Sequence, residues 1–479
     1  MNLRANVQAL FKDGAIYGLS KVIGQLISFF LIPLYTKYLS PEDYAVLSLV
    51  GILSVSFTLF SSFALDSTAY RFVGLMKTYK YRIIYASSAH TLIILTSLIL
   101  GAITLVCSGW IAKVLFDNAN YSLYVSLGIF GAIAGTLSTV PTAYFRILRK
   151  AKFVGTSLII NLSTSILSTI LLVVVFKFGV TGALLGNLIG NLASTIFLSV
   201  SAPIWKFTFS LKINKKLIAY AAPIFPHKVL AFLFPVYSQL ALKEYTSLKE
   251  VGYYAIAWKF CTPFMLFIGT FQQAWSPYKF EILRNQPNPQ ATFSKLFNIY
   301  VLISGTLFLI SAGLGSEVLK FTTPSNFHDS AKYVPYLALI PLIQGMYFML
   351  GTGQEFSKSP KILPLISGCG LIAVLISCTL LIPSYAVAGL GLSMAIGWLV
   401  MAIGTYIYSN SLYKIPYNWK LVFVVFLLFL ALGFIFNRFD GYINRQTLYI
   451  KIFGIIVISI CISLLIISPK KILTFIKSR

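Results

Sequence analysis

The sequence predicts an all-α integral membrane protein of about fourteen transmembrane helices, built as two parallel six-helix repeats with two extra helices at the C-terminus. Three observations carry that expectation. Of 479 residues, 58% are hydrophobic and 10% charged, against about 25% charged in an ordinary soluble domain. Such a chain cannot cover itself with polar surface, so lipid is its main solvent. Apolar runs of about 20 residues, the length that crosses a bilayer, recur from end to end. Finally, motifs of the first half return in the second at an offset of 207 or 208 residues.

The apolar runs fall at 14–36, 43–65, 83–106, 122–143, 153–176, 180–202, 217–241, 252–274, 296–319, 332–353, 361–383, 386–408, 419–437 and 448–468. Their connections are short, leaving no room for a soluble catalytic domain. One side holds Arg4, Lys12, the clusters within 71–82, 146–152, 206–216, 279–295, 358–361 and 414–420, and the tail 470–479; it carries 25 of the 38 basic residues. By the positive-inside rule that side is cytoplasmic and both termini lie there. The opening MNLRANVQALFKDG has no apolar core and no small-residue cleavage site, so the first span is expected to serve as the export signal.

The repeat is legible in three places. KYLSPEDYAV (37–46) pairs with EYTSLKEVGY (244–253), TAYRF (68–72) with SPYKF (276–280), and FGVTGALLGNLIG (178–190) with YAVAGLGLSMAIG (385–397). In the last pair Gly182, Gly186 and Gly190 align with Gly389, Ser393 and Gly397, small residues at every fourth position that let membrane helices pack closely. Six spans per repeat give both copies the same orientation, the plan of a transporter with its site between two halves. The expected lobes are 1–205 and 217–412, joined by a basic cytoplasmic connector at 206–216, with 413–479 as the extra helix pair and tail.

Lysines inside spans are the main chemical clue. A charge at the centre of a membrane helix costs about 2.5–3.5 kcal/mol on insertion scales. Lys21 and Lys228 stand 207 residues apart, at the same depth in the first helix of each repeat. Gln25 and Ser28 extend Lys21 into a polar stripe at i, i+4, i+7. Beside Lys228 lie His227 and Pro223, Pro226 and Pro235, which predict a broken or bent helix. Lys259 adds a third cation, with Thr262, Thr270 and Gln273 on roughly its face. Snorkelling to headgroups is the competing explanation, about one chance in three for lysines two turns into a helix. Pairing with carboxylates is expected to be weak, because Asp66 and Glu355 alone of the twelve acids lie at cytoplasmic span ends in a motif-like setting. A cationic interior wants an anionic passenger, and Lys21, Gln25, Ser28, His227, Lys228 and Lys259 are the expected substrate-binding residues. Asp66, with Arg71 as its partner, is the candidate for coupling or gating, weighed evenly against a helix cap.

Several classes fall away. The net charge of +26 is spread over short loops between apolar runs, not along one soluble face, so nucleic acid is not the partner. Cys107, Cys261, Cys369, Cys378 and Cys461 form no CxxC pair and read as small hydrophobes. His90, His227 and His328 are scattered without paired ligands, so no metal and no cofactor is expected. Asn161, Ser165 and Ser168 form a stripe that reads as interhelical glue, by roughly two to one over sugar recognition. An enzyme such as a membrane glycosyltransferase or a polysaccharide polymerase needs carboxylates or arginines in a sizeable external loop, and none of the loops is long.

FLIPLYTKYLSPEDYAVLSL, LDSTAYRF, YFRILRKAKFVG, EVGYYAIAWKF and AWSPYKF, in that order, resemble the polysaccharide-unit (O-antigen type) flippases of the multidrug/oligosaccharidyl-lipid/polysaccharide flippase superfamily, over essentially the whole chain. The resemblance implies a non-enzymatic transporter of the bacterial inner membrane. Its cargo is an undecaprenyl-pyrophosphate-linked oligosaccharide, moved from the cytoplasmic to the periplasmic leaflet by alternating access coupled to an ion gradient. The implied partners are the lipid-linked glycan, membrane lipids, and a polysaccharide polymerase with its chain-length machinery. The nearest rival is a multidrug exporter of the same superfamily, which looks to intramembrane carboxylates that this chain nearly lacks.

Overall fold

The computed structural model describes residues 32–76, 78–148, 150–204, 208, 210–222, 224–356, 362–438 and 451–457. All regular structure among them is helical. The chain divides between Val236 and Tyr237 into two compact units. In chain order the helices of unit 1 are α1 (Ile32–Tyr38), α2 (Pro41–Ser62), α3 (Leu65–Leu75), α4 (Tyr79–Val106), α5 (Ser108–Phe116), α6 (Ser122–Leu137), α7 (Thr139–Ile147), α8 (Ala151–Ile170), α9 (Gly179–Ser201) and α10 (Leu211–Ala221). Next comes α11 (Phe225–Tyr245), within which the division falls. Unit 2 continues with α12 (Leu248–Asn285), α13 (Pro289–Thr322), α14 (Val334–Leu350), α15 (Thr352–Phe356), α16 (Leu363–Leu412) and α17 (Trp419–Arg438), and residues 451–457 are helical.

Ten helical segments among the described residues are long and apolar enough to cross a membrane. They match the expected spans from 43–65 to 419–437, with two differences. The expected spans 361–383 and 386–408 run together as α16, whose 50 residues extend about 75 Å at 1.5 Å per residue, more than twice a hydrocarbon core. Ala386 breaks it, with φ 47° and ψ −125°. The expected span 217–241 is not one helix. The chain turns at Ala222 and at Ile224 between α10 and α11, and α11 itself carries Lys228, Lys243, Glu244 and two prolines, so it is not among the ten. Spans 14–36 and 448–468 lie mostly outside the described residues.

Local structure repeats with the sequence. Ser40 caps α2 by accepting from Asp43 N (3.1 Å), and Ser247 caps α12 by accepting from Glu250 N (3.3 Å). The two caps are 207 residues apart, as are the left-handed residues Gly179 (φ 54°) and Ala386 (φ 47°) that open the last helix of each copy. The copies also diverge. Where α12 runs unbroken for 38 residues, its counterpart is interrupted at Phe63 and Ala64, both left-handed (φ 43° and 56°), a conformation that costs a non-glycine residue about 1–2 kcal/mol. That turn separates α2 from α3.

Packing follows the small-residue pattern. A Cβ on Gly186 would stand 2.0 Å from Thr169 Oγ1, and one on Gly190 2.6 Å from Ser165 Cβ, so α8 and α9 touch backbone to backbone. One core of unit 1 joins α3, α4, α7, α9 and α10 through Leu65, Ala69, Tyr85, Ala89, Tyr144, Leu198 and Leu217. In unit 2, α17 packs on α13, with Phe429 against Gly305 and Phe308 against Gly433.

Candidate functional site

In unit 1 the broken helix places Asp66 in the first turn of α3, where the positive end of the helix dipole favours a carboxylate. The start of α11 is held there by apolar contact. Phe225 packs on Phe63 (ring centroids 4.6 Å) and edge-on to Phe60 (5.6 Å). One turn on, Lys228 Nζ donates to both Asp66 oxygens, at 3.0 and 3.2 Å. The side chains are 30% and 37% exposed. This corrects one expectation: a carboxylate is available to Lys228, because a turn and a helix bring together groups 162 residues apart. The side chains of Arg71 and His227 lie outside the described residues, as do Lys21, Gln25 and Ser28 entirely.

In unit 2, Lys259 is partly buried on α12. Two hydroxyls expected to share its face turn back on their own helix: Thr262 donates to Trp258 O (3.4 Å) and Thr270 to Leu266 O (3.0 Å) and Phe267 O (2.9 Å). Further along α12 the rings of Phe267, Phe271 and Trp275 stack at every fourth residue. The next position on that ridge is Lys279, 2% exposed. Sequence reading missed it as a loop charge in the cluster 279–295. The available signal was the pairing of TAYRF with SPYKF, which aligns Lys279 with Arg71.

A second ion pair was also missed. Glu317 on α13 bonds Lys451, which is 3% exposed, and Ser316 Oγ donates to the second Glu317 oxygen at 3.1 Å. Glu317 is thus an acid within a span, contrary to the expectation that almost none exists. Among the described residues no group of three or more His, Cys, Asp or Glu is arranged to hold a metal ion. Lys228 in unit 1 and Lys451 in unit 2 are thus partnered by carboxylates, and Lys259 stands within a membrane-spanning segment of α12.

The fold has solved relatives. It resembles the lipid II flippase MurJ in an inward closed conformation, with a TM-score of 0.75 and 15% identity over 93% of this chain and 97% of that one. It also resembles a multidrug resistance MATE family transporter of the MOP superfamily in its inward-facing conformation, with a TM-score of 0.66 and 13% identity over 81% and 97%. The outward-facing form of such a transporter gives a TM-score of 0.59 at 14% identity, over 84% and 95%. At these identities the likeness is one of fold. No curated protein sequence matches the chain. The family model described as "Polysaccharide biosynthesis protein" matches residues 10–283. That is more than half of the chain, which therefore belongs to the polysaccharide biosynthesis protein family.

Proposed function

We propose that this chain moves an undecaprenyl-pyrophosphate-linked oligosaccharide, a repeat unit of O-antigen or a related polysaccharide, from the cytoplasmic to the periplasmic leaflet of a bacterial inner membrane. The observation that carries the reading is a set of partly or fully buried lysines, Lys259 within a membrane-spanning segment, Lys228 on α11 and Lys279 on the continuation of α12, in a chain of a polysaccharide biosynthesis family. A pyrophosphate leaving water needs cations in low dielectric, where Coulomb attraction is several-fold stronger than in bulk water. Lys21, with Gln25 and Ser28, joins them by the symmetry of the repeat, and His227 by adjacency to Lys228. The lipid tail stays in the bilayer while the head crosses.

Transport in this reading alternates between inward- and outward-open forms and draws on an ion gradient. Asp66 is the coupling candidate. Its bond to Lys228 supplies a concrete exchange, since an anionic head that takes Lys228 releases the carboxylate to accept a proton. The lobes 1–205 and 217–412, the connector 206–216, cytoplasmic termini, and a polymerase with chain-length machinery as downstream partners complete the proposal. Likeness to multidrug transporters favours a second reading, drug export, but lysine-bearing spans suit anions better than cationic drugs.

The test is export in cells lacking the natural copy. Lys21→Gln, Lys228→Gln and Lys259→Gln are each expected to reduce surface polysaccharide strongly with the protein still in the membrane, and arginine at each position to restore part of it. Full export by the doubly substituted Lys21→Gln, Lys228→Gln protein overturns the cationic-cargo reading.

A further inference from the structure

Within unit 1, three spans share a directed chain of amides. Asn161 on α8 donates through Nδ2 to Asn191 Oδ1 (2.9 Å) and to Ser194 Oγ (3.2 Å). Asn191 on α9 donates in turn to Gly131 O of α6 (3.1 Å) and to Asn187 Oδ1 (2.9 Å). Ser194 Oγ closes the chain by donating to Asn191 O (3.0 Å). Each amide passes its N–H to the next, so direction is fixed and successive bonds polarise one another. The chain ends on Asn187, whose oxygen accepts from Asn191 and whose NH2 group donates to no protein atom among the described residues.

Asn187 is exposed, and its direction can be read from α9. At about 100° per residue, Ile189, Leu192, Ile196 and Val200 stand roughly 140–220° around the helix from it. Those four are the exposed apolar side chains of α9, at 40%, 43%, 60% and 81%, the strip that suits lipid. Asn187 is turned the other way, where polar side chains of membrane helices face an interior or a wet space. The fold does not require an amide there. In the register set by Gly182 with Gly389 and Gly190 with Gly397, the counterparts of Asn187, Asn191 and Ser194 are Met394, Trp398 and Met401.

We propose that Asn187, oriented by Asn191 and Asn161, is a glycan subsite, donating to hydroxyl, ring or acetamido oxygens of the sugar portion of the cargo. This rests on the flippase reading. The chemistry selects the ligand class. A site whose free group is a pair of N–H donors takes oxygen acceptors and not a metal cation, which would need the oxygens already committed to Asn191. An uncharged amide complements neutral sugars and leaves the pyrophosphate to the lysines. Asn161 and Asn191 are positioning residues.

The experiment compares two probes on purified protein: bare undecaprenyl pyrophosphate, and the lipid-linked glycan that accumulates in cells lacking the protein. Asn187→Leu is expected to weaken binding of the glycan-bearing probe about five- to tenfold, the loss of one or two neutral hydrogen bonds, and to leave the bare pyrophosphate unchanged. Asn187→Gln, which keeps the donors, is expected to recover part of the loss, and Asn187→Ser covers the case in which leucine disturbs folding. Equal loss for both probes, or no loss for either, overturns the subsite while leaving the flippase reading in place. Wild-type protein that binds neither probe overturns the flippase reading and the subsite with it.

Discussion

Exchange of the charges at Asp66 and Lys228 separates a strut from a ligand. In the native pair, Nζ lies 3.0 and 3.2 Å from the two carboxylate oxygens. Coulomb's law at 3 Å gives about 1.4 kcal/mol in a dielectric of 80 and about 5.5 kcal/mol in one of 20. With roughly a third of each side chain exposed, the pair falls between these limits, and desolvation subtracts from it, leaving a coupling of about 2 kcal/mol. In a double-mutant cycle of Asp66→Asn and Lys228→Gln, measured by unfolding in mixed SDS micelles, the single changes should therefore be non-additive by about 2 kcal/mol. The exchanged protein, Asp66→Lys with Lys228→Asp, restores opposite charges across the same gap and should regain most of that stability. Export should not return, because the cargo then meets a carboxylate on α11. Additive single mutants would refute the pair, and wild-type export by the exchanged protein would reduce Lys228 to a strut.

Three further outcomes are expected. Reporter fusions near residues 80, 150, 212, 285 and 358 should read cytoplasmic and those near 118, 247, 326 and 440 periplasmic; two inverted loops would break the parallel repeat. Gly186→Val, whose Cβ meets Thr169 at 2.0 Å, should overpack the α8–α9 seam by about 1–3 kcal/mol and lower the folded yield. Gly51→Ala, with nothing within 4 Å of its Cβ, should be silent. In the buried pair, Glu317→Gln alone should destabilise unit 2 by about 3–5 kcal/mol, whereas Glu317→Leu with Lys451→Met should cost far less, since two apolar groups leave no stranded charge; folded yield in detergent checks both.

Much of the fold was legible because membrane helices write their constraints locally. Apolar length gave spans. The stripe Gly182, Gly186, Gly190 gave close packing along α9, and Pro223, Pro226 and Pro235 gave a broken or bent helix around Lys228. What was not legible depends on distant pairing. Asp66 and Lys228 meet because α2 breaks at Phe63 and Ala64, two ordinary residues in a left-handed turn that no motif announces. Glu317 and Lys451 stand 134 residues apart and become a buried pair only where α13 and the helix at 451–457 pack together. Lys279 was counted with loop charge, although the stacked ridge of Phe267, Phe271 and Trp275 carries it into the protein. The stripe through Asn161 read as glue, which it is for Ser165 against Gly190; the exposed end at Asn187 emerges from the bond directions, which sequence does not hold.

The most direct measurement reconstitutes the purified protein into liposomes with a labelled undecaprenyl-pyrophosphate-linked glycan in one leaflet and follows the label's loss from that leaflet. Movement well above that in protein-free vesicles, reduced by Lys228→Gln and partly restored by Lys228→Arg, is the expected result. No movement of the glycan under any imposed proton or sodium gradient, with uptake of a cationic dye in the same vesicles, would contradict glycan flipping and identify a drug exporter.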